Sequence, residues 1–80
     1  MDDGTTTPCD TLDLRGLKCP LPVLHARRAL ARIVPGRTLA VRCTDPLAGL
    51  DIPNLLRETG DHLVAVVREG PETRFVIRKS

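Results

Sequence analysis

Eighty residues at 41% hydrophobic and 28% charged, with a formal net charge of +2, make one small globular domain with a modest core. No apolar run nears the ~18 residues a membrane span needs, and the N-terminus lacks a signal-peptide core. One Phe, no Trp and no Tyr exclude the aromatic platforms of single-strand binders, and the basic residues are scattered, so direct nucleic-acid binding is not expected.

Three cysteines are an odd number for a disulfide framework, so a reducing, cytoplasmic setting is expected. Nothing points to a cofactor, and a monomer is expected.

Residues 1–10 are polar and aperiodic and read as a frayed tail, with the single domain spanning residues 11–80. Cys9 falls in this tail and reads as an incidental exposed cysteine, the alternative being a resolving thiol that swings towards Cys19. Leu12-Asp13-Leu14-Arg15 alternates like a short strand with both leucines inward. Gly16 breaks that pattern. From Pro20, residues Val23, Ala26, Leu30 and Ile33 recur at the helical period, and Pro35-Gly36 should stop the helix near Val34. His25, Arg28 and Arg32 form a separate stripe at the same spacing.

Residues 38–43 form a second strand with Leu39, Val41 and Cys43 on one face. Asp45-Pro46 then reads as a helix start, with Asp45 as N-cap and Pro46 at the first helical position. Pro53 complicates that helix, because proline in a helix interior costs about 3 kcal/mol or more. A kink or restart is therefore expected near Asp51-Ile52, with Asp51 capping the second piece, which ends by Thr59-Gly60. Residues 62–68 are a β-rich run whose facing is ambiguous; Val64 and Val66 are assigned inward. A turn over residues 69–72 leads to the last strand, residues 73–79, with Phe75 and Ile77 inward.

The order is β-α-β-α-β-β. The first two strands, joined through a helix, should be parallel, and the last two an antiparallel hairpin. The fold class is α/β (α+β): a two-layer sandwich with a mixed four-stranded sheet and two helices on one face. The C-terminal ends of the first two strands then share a rim, which carries Cys19.

The chemistry should reside in Arg15-Gly16-Leu17-Lys18-Cys19-Pro20-Leu21-Pro22. Proline suits a first helical turn because the N–H groups there lack intrahelical partners. Cys19 therefore reads as N-cap, Pro20 as the first helical residue, and Leu21 and Val23 as the early donors left for a sulfur anion. The helix dipole, Arg15 and Lys18 should all lower the thiol pKa. At the ordinary value of ~8.5 a cysteine is only about 3% thiolate at pH 7, whereas at ~6.5 it is roughly 75%. The two prolines should stiffen the turn and hold the sulfur outward.

Competing constellations are weaker. His25 lies about 600° round the helix from Cys19, on the wrong face for a Cys–His pair. The cysteines and histidines show no metal-ligand spacing and no C-x-x-C. Cys43 reads as a core residue, with a resolving role towards Cys19 as the alternative. Arg27, Arg28 and Arg32 read as a solvated face, with partner docking near the rim as a second reading. Asp45 and Asp51 read as caps that could also shape the rim.

Residues 15–23, Arg-Gly-Leu-Lys-Cys-Pro-Leu-Pro-Val, resemble the Cys-Pro-x-Pro signature of the TusA/SirA-type sulfur-carrier family. Asp45-Pro46 with Asp51-Ile52-Pro53 resembles its second segment, and Arg74-Phe75-Val76-Ile77-Arg78-Lys79 its closing strand. The resemblance covers roughly residues 11–79. It implies a cysteine that carries sulfane sulfur as a persulfide, at Cys19 here, with Arg15, Lys18, Pro20 and Pro22 around it. It also implies a donor protein, either a cysteine desulfurase or a rhodanese-like protein, and an acceptor in tRNA thiolation, molybdenum-cofactor assembly or sulfur oxidation. Candidate docking residues are Arg27, Arg28 and Asp45. The alternatives are a non-catalytic regulatory or protein-binding module, and a selenium or thiol redox carrier using the same cysteine.

Overall fold

The computed structural model describes residues 9–80. Its elements follow the expected order: β1 (Cys9–Leu14), α1 (Leu21–Arg32), β2 (Thr38–Cys43), α2 (Ala48–Thr59), β3 (His62–Glu69) and β4 (Glu72–Arg78). They build one four-stranded sheet in the order β1-β2-β4-β3. β1 and β2 are parallel, with Leu12 opposite Val41 and Leu14 opposite Cys43. β4 runs antiparallel to both β2 and β3. The mixed sheet expected from the sequence is therefore present.

β1 begins earlier than the alternation of Leu12 and Leu14 suggested. Cys9 and Asp10, assigned to the tail, pair with Thr38 and Leu39 of β2. Backbone hydrogen bonding to a neighbouring strand stabilises a strand whatever its polarity, and a polar stretch leaves no periodic signal. Residues 1–8 lie outside the described residues, as does the side chain of Cys9.

The core lies between the sheet and the helices. Leu14, Leu39, Val41, Cys43, Phe75 and Ile77 contribute from the strands, and Ala26, Leu30, Ile52, Leu55 and Leu56 from the helices. Pro22, Ala26 and Leu30 follow the four-residue step and are all buried. Pro22 thus anchors the start of α1 in the core as well as stiffening the turn. The C-terminal residue is tied down too: buried Asp61 accepts hydrogen bonds from the N–H of Ser80 at 3.0 Å and from its hydroxyl at 3.3 Å.

Three expectations are corrected. α1 starts at Leu21, with Pro20 as its N-cap and Pro22 in the first turn, so Cys19 lies one residue outside the cap. α2 starts at Ala48, with Leu47 as N-cap rather than Asp45, and runs unbroken through Pro53. Asp51 is therefore in the first turn of α2 instead of capping a second piece. Starting at Ala48, the helix forgoes only the bond that an N–H at position 53 would give to the Gly49 carbonyl, while buried Ile52, Leu55 and Leu56 hold it to the core. Gly60 ends it in the left-handed region at φ 84°, donating its N–H to the Leu56 carbonyl at 2.8 Å.

β3 is the third correction. Val66 pairs with Phe75 and Leu63 with Ile77, which places both on the helix-facing side, and the register slips between Leu63 and Ala65 around Val64. Yet all eight side chains of β3 are exposed. β3 is the sheet edge, and its side chains extend past the helix layer that covers Phe75 and Ile77.

The facing of α2 is directly testable. Ile52 is fully buried, whereas Leu50 is 67% exposed. Ile52→Ala should cost about 2–5 kcal/mol of stability, and Leu50→Ala less than about 0.5 kcal/mol, in urea unfolding. Similar losses for the two would contradict the observed facing.

Candidate functional site

The parallel pairing of β1 with β2 sets their C-terminal ends side by side, so the loops leading into α1 and α2 meet at one rim. Gly16 adopts φ 86°, a left-handed conformation that glycine accepts without penalty. Its N–H donates to the Thr44 hydroxyl at 2.9 Å, the first tie between the loops. The second is the Asp45 carboxylate: Oδ2 accepts the Cys19 N–H at 2.8 Å, and Oδ1 accepts the Leu47 N–H at 3.2 Å. Asp45 thus organises both helix entrances instead of capping α2. The Cys19–Pro20 peptide bond is cis. The Leu21 N–H, expected to serve a sulfur anion, is taken by the Lys18 carbonyl at 2.9 Å, which leaves Val23 of the two expected early donors.

Cys19 is exposed and reduced, whereas Cys43 is buried. The Cys19 thiol opens onto a groove of about 260 Å³ between the helices. Two stripes at i, i+3, i+7 face it: Pro20, Val23 and Arg27 on one side, Asp51, Asn54 and Glu58 on the other. Arg27 clasps Glu58 across the groove at 2.7 Å. Both groups are exposed, so this ion pair contributes at most about 1 kcal/mol. A second cavity of about 460 Å³ opens on the other side of the loop pair, with Leu17, Lys18, Pro46 and Leu47 among its walls.

The electrostatics reverse the expectation from sequence. The Cys19 pKa is pushed up, first by its hydrogen bond to the Asp51 carboxyl, then by desolvation and by the charges of Asp51 and Asp45. Carboxylates, not cations, set this thiol. Arg15 is engaged elsewhere: its guanidinium forms a two-point hydrogen bond with Asp13 at 2.9 and 2.8 Å. That contact holds the Asp13 carboxyl well below the usual carboxylate range. Lys18 is exposed at the wall of the second cavity.

Of the expected docking residues, Asp45 and Arg27 come to the cysteine, while Arg28 stays on the exposed stripe with His25 and Arg32. Burial pushes the Cys43 thiol up to about 11, with Asp45 adding to the shift, so it is a poor nucleophile in the folded protein. Among the described residues, no three His, Cys, Asp or Glu side chains converge to hold a metal ion, and no helix is long and apolar enough to cross a membrane. Sequence reasoning missed Asn54, Glu58 and the thiol contact of Asp51. Their common spacing on α2 was visible, but not that this stripe would face the start of α1.

A two-layer α+β domain that holds an exposed cysteine where its two helices enter defines a class of small thiol-bearing proteins. The comparisons narrow that class: the family described as sulfurtransferase TusA matches residues 10–79, and the chain belongs to it. Among solved structures, the SirA-like protein from Desulfitobacterium hafniense superposes with a TM-score of 0.75 at 21% identity. That match covers 85% of this chain and 93% of the other. It carries the fold, and family membership assigns the chain to sulfur transfer.

Removing the Asp51 charge should lower the Cys19 pKa, because the thiolate no longer forms beside an anion. Asp51→Asn should therefore alkylate faster with iodoacetamide at pH 7, with its rate-against-pH midpoint shifted down. An unchanged or raised midpoint would rule out Asp51 as the controlling group. Cys43 should stay unlabelled until the protein unfolds.

Proposed function

We propose that this protein carries sulfane sulfur as a persulfide on Cys19, from a donor protein to an acceptor protein. The observation that carries this reading is the exposed Cys19 thiol in an open groove where the two helix entrances meet. Membership of the sulfurtransferase family supports it. In loading, the Cys19 thiol gives up its proton, for which the Asp51 carboxylate beside it can serve as acceptor. The thiolate attacks the outer sulfur of the donor's persulfide. A new S–S bond forms at Cys19, the donor's S–S bond breaks, and the donor leaves as a thiolate that recovers a proton. No net oxidation or reduction occurs, so no electron acceptor is required.

Delivery is the same reaction with Cys19 as the leaving group. A raised thiol pKa makes free Cys19 a slow nucleophile, so loading depends on contact with a donor that alters the charge around Asp45 and Asp51. Arg27 and Asp45 at the groove, with Arg28 further along α1, form the docking face, flanked by exposed Leu21, Leu24 and Leu47. The acceptor system (tRNA thiolation, molybdenum-cofactor assembly or sulfur oxidation) is then selected by whichever partners dock there.

Incubation with a cysteine desulfurase and cysteine, or a rhodanese and thiosulfate, should add one sulfur atom by intact mass, removable by reductant. Cys19→Ser should gain none, and Cys43→Ser should load as wild type does. An unmodified wild type, or sulfur on Cys19→Ser, would refute the carrier reading. Full rescue of cells by Cys19→Ser would instead favour a non-catalytic module, and selenium recovered on Cys19 a selenium carrier.

A further inference from the structure

The sheet has two edges, and they are built differently. β1 buries Leu14, whereas β3 exposes every one of its eight side chains. Four of these are large and apolar: Leu63, Val64, Val66 and Val67, with Val64 58% and Val66 42% exposed. An edge strand also presents a row of backbone N–H and C=O groups without strand partners, which single-chain proteins shield with Lys, Pro, inward charges or bulges. Residues 63–67 contain no charge, proline or glycine. The register slip at Val64 interrupts one end and leaves residues 65–69 as a regular edge.

We propose that β3 pairs antiparallel with β3 of a second copy of this chain, about a two-fold axis, joining two four-stranded sheets into one continuous sheet. The strand is complementary to its own reverse. Antiparallel self-pairing sets the His62 end of each copy beside the Arg68–Glu69 end of the other, bringing an imidazole to a carboxylate. In that register, with Val64 as the extra residue at the slip, Val66 lies against its own copy and Ala65 against Val67. A two-fold perpendicular to the sheet keeps both helix layers on the same side. Leu63 and Val66 share the helix-facing side with Ile77 and Phe75, so with their copies they fill the space beyond each helix layer. Such a contact is isologous and closed, so it stops at two chains.

The pairing leaves the cysteine free. Cys19 stands at the rim formed by β1 and β2, and β3 is two strands removed from β2. Each dimer therefore presents two separate Cys19 grooves. This departs from the monomer expected from sequence.

Sedimentation velocity on the full chain, from micromolar to millimolar concentration, reads the mass directly. The expected species at the upper end has twice the 8.7 kDa chain mass. Val66→Lys should stay at a single chain mass, with an unchanged far-ultraviolet spectrum and wild-type alkylation of Cys19. A wild type that remains at 8.7 kDa throughout overturns the proposal. So does a dimer that survives both Val66→Lys and Val67→Lys, since its interface would lie elsewhere. Growth beyond two chains also overturns it, because β3 would then be adding to the β1 edge of the next copy in an open array. None of these outcomes depends on sulfur loading, so the dimer and the carrier reading fail independently.

Discussion

The Asp45 carboxylate holds together the rim that carries Cys19. Its two oxygens accept backbone N–H groups from two loops that are far apart in sequence, Cys19 before α1 and Leu47 before α2. A charged acceptor makes stronger hydrogen bonds than a neutral one. With it in place, both helices enter from a fixed point, and the groove between them has defined walls. Without it, the Cys19 N–H would lose its acceptor, and the loops would keep the Gly16–Thr44 contact as their side-chain tie. The position of the cysteine thus depends on a residue twenty-six places away.

That arrangement has an electrostatic consequence. Asp51 disfavours the thiolate through its hydrogen bond to the thiol and its charge, and Asp45, which orients the cysteine backbone, adds to the effect. The site favours a protonated thiol in the free protein. For a cysteine exposed at the surface, this restrains unselective reactions, because the thiolate is the nucleophile. Positioning comes from Asp45 and restraint chiefly from Asp51. The groove itself is shallow and open, which suits contact with a protein surface better than enclosure of a small substrate.

Much of the fold was legible in the chain. β2 and the burial of Leu39, Val41, Cys43, Phe75 and Ile77 followed from alternation, and the end of α2 from Gly60. The failures have identifiable causes. β1 reaches back to Cys9 because sheet pairing recruits polar residues that carry no periodic signal. The facing of β3 was ambiguous because Leu63, Val64, Val66 and Val67 are all apolar; the slip at Val64 and the edge position, which leaves all four outside the helix layer, are not visible in that pattern. Asp45 and Asp51 looked like caps because Asp one or two residues ahead of Pro is a strong local helix-start pattern, and local pattern says nothing about a partner on another loop.

The sequence by itself determined the element order, the helical periods and the rim on which Cys19 stands. These follow from short-range properties: side-chain alternation, proline and glycine geometry, and the crossover between parallel strands. The tertiary structure alone decided the protonation tendency of Cys19, the engagement of Arg15 with Asp13, the clasp of Arg27 on Glu58 and the exposure of β3. Each of these is a matter of distance between groups separated in the chain, or of which strand occupies the edge. Coulombic and hydrogen-bonding effects act over a few ångströms of space, so charges next to the cysteine in sequence yielded to those next to it in the fold.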